Sequence, residues 1–168
     1  MEHKPKVIEA SVWKEILIDT GKMEKLGSVK FITLHHTNSN PLHPYSDKVR
    51  LNKILDFHTK ARGWNDIGYH FLISPGGKIY EGRNIAFQGA HVEGYNQGNI
   101  GIAVIGDYNV EKVSQGLNDA LRYLVEKLMK RFGLSIEDLK GHRDFKEIHP
   151  GTCPGDFIYQ WLREYNNE

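Results

Sequence analysis

The sequence is poor in cysteine, in long apolar runs and in excess charge of either sign, and each shortage removes a class of protein. A single cysteine, Cys153, among 168 residues cannot close an internal disulfide. The fold must be held by its core, and the thiol is available as a metal ligand, a nucleophile or a buried filler. No apolar run approaches the roughly 20 residues that span a bilayer, so no membrane span is expected. The opening Met1-Glu2-His3-Lys4-Pro5-Lys6 leads into no apolar stretch, and no secretory signal is visible. Basic and acidic residues nearly cancel, 22 against 21, for a net charge of +1. That balance argues against a nucleic-acid partner held on a broad basic face. No internal repeat, low-complexity tract or linker interrupts the chain. Its length suits one domain with a real core.

Residues 1–28 read as an N-terminal segment, with a short helix or irregular arm around Trp13, Ile16, Leu17 and Ile18. The domain proper is expected over 29–168. Val-Lys-Phe-Ile-Thr-Leu at 29–34 reads as a buried strand, with His35 and His36 at its C-terminal end. Asp47 can cap a helix to about residue 62 whose apolar side is Val49, Leu51, Ile54, Leu55 and His58. Strands at 68–74 and 78–82 flank the hairpin turn Pro75-Gly76-Gly77. Residues 83–98 form a Gly- and Asn-rich loop, longer than most, and such loops usually bind something. Residues 99–105 are nearly all apolar, as in a central strand covered on both faces. Ser114 caps a helix to about Phe132, stopped by Gly133, and a last helix is expected over 157–165. The loose alternation of strands and helices gives the class: α/β or α+β, one mixed sheet flanked by helices.

The residues with the most chemistry are His35, His142 and Cys153, the last two 11 apart in a late loop. Catalytic zinc takes three protein ligands and keeps one position open, whereas structural zinc draws on four, often as close cysteine pairs. One cysteine and no such pair argue against a structural finger and fit an open site. Spacing alone leaves the bland alternative standing: hydrogen-bonded histidines and a buried thiol.

A series of ordered motifs then narrows the reading. They are His35-His36-Thr37, Gly63-Trp64-Asn65-Asp66-Ile67-Gly68-Tyr69-His70-Phe71 and Gly77-Lys78-Ile79-Tyr80-Glu81-Gly82-Arg83. Gly89-Ala90-His91, Tyr95-Asn96, Ile100-Gly101-Ile102-Ala103-Val104-Ile105-Gly106-Asp107, Gly141-His142-Arg143 and Cys153-Pro154-Gly155 follow. Over about 29–162 the chain resembles the zinc-dependent N-acetylmuramoyl-L-alanine amidases, the family shared by short phage endolysins and peptidoglycan recognition proteins.

That resemblance implies a peptidoglycan recognition protein-like fold and one Zn2+ held by His35, His142 and Cys153. His36 is the alternative to His35, but the two point to opposite faces of a strand. It implies a catalytic role for Tyr69 and a peptidoglycan groove lined by Trp64, Arg83, His91 and Asn96. The implied reaction is hydrolysis, by a zinc-activated water, of the amide between the lactyl group of N-acetylmuramic acid and L-alanine. One position departs from the family. Two residues before the cysteine, where the phage enzymes often have lysine and the recognition proteins threonine, stands Gly151. Thr152 and His149 are the neighbouring candidates for that lost group. The expected partner is bacterial peptidoglycan and the expected state a monomer. The expected setting is a phage or prophage endolysin, held in the host cytoplasm until release to the wall. The rival readings are a peptidoglycan-binding module without activity, a cysteine hydrolase using Cys153 with His142, and a regulatory role.

Overall fold

The computed structural model describes residues 5–40, 44–145 and 151–168. Among them are strands β1 (Val7–Ile8), β2 (Phe31–His36), β3 (Phe71–Ile73), β4 (Ile79–Glu81), β5 (Asn99–Val104) and β6 (Leu139–Gly141). The helices are α1 (Asp47–Asp56), α2 (Gln115–Phe132) and α3 (Asp156–Tyr165). The strands form one mixed sheet in the order β1-β4-β3-β5-β2-β6. Every pair is parallel except the β3–β4 hairpin.

The two faces of the sheet bury different sets of residues. Ile32, Leu34, Ile100, Ile102 and Val104 pack with Leu117, Leu121, Leu124 and Leu128 of α2 and Ile158 and Trp161 of α3. Ala103, Ile105 and Leu72 pack on the opposite side with Leu51 and Leu55 of α1, and with Trp13. β5 is therefore covered on both faces, and all six of its residues are buried. This explains its unbroken apolar run.

α2 follows its sequence signals closely. Ser114 Oγ accepts from Leu117 N at 3.2 Å, and Gly133 ends the helix in the left-handed region at φ 65°. α1 differs in two ways. Ser46, not Asp47, is its cap, with Val49 N donating to Ser46 Oγ at 3.4 Å. Asp47 instead accepts from the Tyr80 hydroxyl at 2.8 Å. The helix then widens into a π turn, Phe57–Ala61, a rare form that often marks functional sites.

The N-terminal segment is woven into the same unit. β1 pairs with β4, and the Trp13 indole donates to Glu81 O at 2.8 Å. Lys14 pairs with Asp66 at 2.8 Å. No α-helix forms over 12–18; among the described residues the segment's helical turns are the short 3-10 turns Ala10–Val12 and Thr20–Lys22. β6, expected as loop, is a three-residue strand whose partner is β2.

Candidate metal centre and groove

Pleating sends His35 and His36 to opposite faces of β2. His36 turns toward Tyr108, whose amide donates to its Nδ1 at 3.0 Å. Burial lowers the His36 pKa, opposed by Asp107. His35 turns the other way. The β2–β6 register sets Leu34 opposite Gly141, so His142, the next residue, arrives beside His35. Their ring centroids are 4.6 Å apart. A short 3-10 turn, His142–Phe145, follows, and Asp144 Oδ2 accepts from Gly141 N at 2.7 Å to close it. Cys153 is drawn in by backbone: Arg143 N donates to Cys153 O at 3.0 Å. Gly155, at φ 87°, lies against the Tyr108 backbone, where a Cβ would come within 2.5 Å.

The result is a tripod. One ligand atom from each of His35, His142 and Cys153 lies within 4.8 Å of the others. Cys153 Sγ is 3.6 Å from His35 Nδ1. A tetrahedral zinc with bonds of about 2.1 Å to nitrogen and 2.3 Å to sulfur holds its ligand atoms roughly 3.6 Å apart. Two imidazoles and a thiolate are also a donor set that zinc takes, so the residues fit that ion. Burial pushes the Cys153 thiol up to about 12. A cysteine nucleophile needs a depressed pKa, so this burial counts against the cysteine-hydrolase reading, whereas a bound metal ion deprotonates a thiol outright.

The tripod faces a groove of about 1090 Å3. α1 and its π turn supply one wall, including Lys53, Phe57, His58 and Arg62, and the 83–98 loop supplies Ala90, His91, Glu93, Gly94 and Asn96. Arg62 lies over the rings of Phe57 and Trp64, at 5.3 and 5.7 Å.

Of the residues singled out from sequence, Trp64, Tyr69, His91 and Asn96 line this groove with the three tripod residues. Tyr69 stands beside His35, ring centroids 5.2 Å apart. Desolvation, reinforced by Cys153, raises its pKa and keeps the phenol protonated. Asn96 has its amide oxygen committed to the amides of His91 and Val92, both at 2.8 Å. His91 is nearly buried with both ring nitrogens engaged, one on His35 Nε2 and one on Asn99 O, each at 3.0 Å.

Two of the expected residues stand outside the lining. Arg83 is not among the described groove residues. Its guanidinium is buried and donates to the carbonyls of Ile67, Gln88 and Asp66 at 2.8, 2.6 and 3.1 Å. It clamps the loop beneath the groove. Thr152 also stays outside the lining, and its hydroxyl accepts from Asn109 Nδ2 at 3.3 Å. His149 lies outside the described residues. His58 was read from sequence as part of the apolar side of a helix, yet it lines the groove. Its Nδ1 accepts from Gly68 N at 3.1 Å, and burial lowers its pKa to about 4, helped by Arg62 and Arg83. His58 sits on the π turn, which no local pattern announces.

Comparison with known proteins places this geometry. The family profile of N-acetylmuramoyl-L-alanine amidase matches residues 25–156. An N-acetylmuramoyl-L-alanine amidase of Sus scrofa is 34% identical over 141 residues, 80% of this chain, which spans only 23% of that protein. Peptidoglycan-recognition protein SC2 of Drosophila melanogaster is 31% identical over 150 residues, 88% of this chain and 80% of its own. Among solved structures, the amidase LysC from Clostridium intestinale superposes with a TM-score of 0.77 at 31% identity, covering 97% of this chain and 98% of its own. Bumblebee PGRP-SA gives a TM-score of 0.83 at 26% identity, covering 96% and 95%. The tripod, the groove and the sheet that carries them therefore sit in a chain that belongs to the N-acetylmuramoyl-L-alanine amidase family.

Proposed function

We propose that this protein is a zinc-dependent N-acetylmuramoyl-L-alanine amidase. The observation that carries the reading is the convergence of His35, His142 and Cys153 at the groove. Bound there, zinc would bring the pKa of a water ligand near neutrality and polarise the scissile carbonyl. His35 and His142 would hold it as neutral imidazoles, and Cys153 as the thiolate. The protonated phenol of Tyr69, beside His35, is suited to donate to the oxygen that gathers charge as the amide carbon becomes tetrahedral. Trp64 and Arg62 offer a flat aromatic surface and a cation against which a glycan and an acidic stem peptide can lie.

Its partner would be bacterial peptidoglycan, and the chain would act as a monomer. A phage or prophage endolysin that waits in the host cytoplasm is the setting we favour. That preference is supported by similarity over nearly the whole chain to an endolysin amidase of Clostridium intestinale, with a TM-score of 0.77. Among the described residues no helix is long and apolar enough to cross a membrane.

A second reading, binding without cleavage, is favoured by one observation. Position 151 offers no side chain to protonate the leaving amine, and the Thr152 hydroxyl is turned to Asn109. Mass spectrometry of digested peptidoglycan separates the two. The amidase reading expects new L-alanine amino termini without new reducing sugar ends, and loss of both product and zinc in Cys153→Ser. Wall binding without such termini would establish the second reading.

A further inference from the structure

We propose that His91 is a positioning residue for the metal ligand His35, fixing it in the tautomer whose bare Nδ1 faces Cys153. This inference rests on reading the tripod as a zinc site. It assigns His91 a different task from the peptidoglycan contact expected from sequence.

The relay starts at a backbone carbonyl. His91 Nε2 lies 3.0 Å from Asn99 O. A carbonyl oxygen only accepts, so this nitrogen carries a proton. The ring is buried, and among the described residues its side-chain hydrogen-bond partners are Asn99 O and His35 Nε2, with no carboxylate to balance a second proton, so it carries one proton and not two. A neutral imidazole with its proton on Nε2 has a bare Nδ1. That Nδ1 faces His35 Nε2 at 3.0 Å. Two nitrogens at this distance share one proton, and only His35 can provide it. His35 therefore carries its proton on Nε2, and its Nδ1 holds a lone pair. Nδ1 is the atom that stands 3.6 Å from Cys153 Sγ. The donor set is thus prepared by an Asn99–His91–His35 relay that begins in the main chain of β5.

The surroundings of His91 are built to hold this ring. A Cβ on Gly101 would come within 2.7 to 2.9 Å of its ring atoms Cγ, Cδ2 and Nδ1. A Cβ on Gly89 would meet Cδ2 at 2.6 Å. The imidazole occupies a slot that exists because neither residue has a side chain. Asn96 Oδ1 pins the main chain on either side of the Cα by accepting from His91 N and Val92 N. A ring present only to touch substrate would not need both nitrogens satisfied within the protein. Groups that orient a metal-bound histidine in this way typically contribute about 10- to 100-fold in metal affinity.

The test has two readouts, neither of which is activity. Ring-nitrogen NMR of the metal-free protein should show His35 protonated at Nε2 and His91 protonated at Nε2. Zinc affinity, measured by competition with a chelator, should fall about 10- to 100-fold in His91→Phe, which fills the slot without nitrogens. His91→Asn places an amide oxygen near the Nδ1 position and should recover most of that loss. A metal-free protein with His35 protonated at Nδ1 overturns the proposal, as does His91→Phe with wild-type zinc affinity and only a raised KM. If His91→Phe does not fold, the wild-type spectrum decides alone. A wild-type protein that binds no zinc would refute the metal reading, and the spectrum would still decide whether the relay exists.

Discussion

Tyr69 lies beside His35 with its phenol protonated and no protein hydrogen-bond partner for its hydroxyl among the described residues. Its role is separable from metal binding. Tyr69→Phe should lower kcat by about 100- to 1000-fold, the loss typical of one oxyanion donor, with zinc affinity unchanged by chelator competition. Gly151 offers the opposite experiment. A Cβ built there meets nothing within 4 Å among the described residues, which leave room for a side chain. Gly151→Lys should leave the melting temperature within a degree or two and raise turnover of peptidoglycan fragments by up to about 100-fold, read by product release. At this scale the sequence told only in part which side chains meet at the groove. His35, His142 and Cys153 were legible as a set through the motifs that carry the family resemblance, since their spacing alone left the bland alternative standing, and their donor atoms do meet within 4.8 Å. Arg83 and Thr152 were not, because their directions are set by carbonyls at Asp66, Ile67 and Gln88 and by an amide at Asn109.

Elements explain how such distant residues meet. β2 and β5 were readable from apolar runs, and α2 from its helical spacing and cap. β1 and β6 were not, since two or three residues carry no period, and only pairing with β4 and β2 defines them. Yet β6 delivers His142, so the element hardest to read positions one leg of the tripod. The segment from Asp66 to the 83–98 loop is held by Arg83, whose buried guanidinium serves three carbonyls. Arg83→Met would leave those acceptors without their cation. It should destabilise the protein by on the order of 3 kcal/mol in urea unfolding. KM, measured on the folded protein, should stay near the wild-type value, whereas a groove contact would raise it.

Across the whole molecule, the sheet is a partition. α2 and α3 seal one face with the larger apolar cluster, and α1, its π turn and the 83–98 loop leave a groove on the other. Building that groove wall buries titratable rings. His70 donates from Nε2 to Phe87 O at 2.9 Å and accepts from Gly101 N at 3.0 Å, and burial lowers its pKa to about 4. His58 is lowered to about 4 as well. Both are depressed below an unfolded value near 6.5, so the unfolded chain binds more protons between these limits. Their stabilising share is present above about pH 6.5 and is lost as pH falls toward 4. Each histidine removes about 1.4 kcal/mol per pH unit in that window. Thermal unfolding of the metal-free protein should show the melting temperature falling over that range, and less steeply in His70→Asn. The central claim, that the tripod works by holding zinc, is tested most directly by one titration. Protein stripped by a chelator is returned to zinc while amide cleavage of peptidoglycan is followed. Activity should vanish on stripping and return at one zinc per chain in the wild type, but not in Cys153→Ser. Full cleavage by demonstrably zinc-free protein would contradict the account.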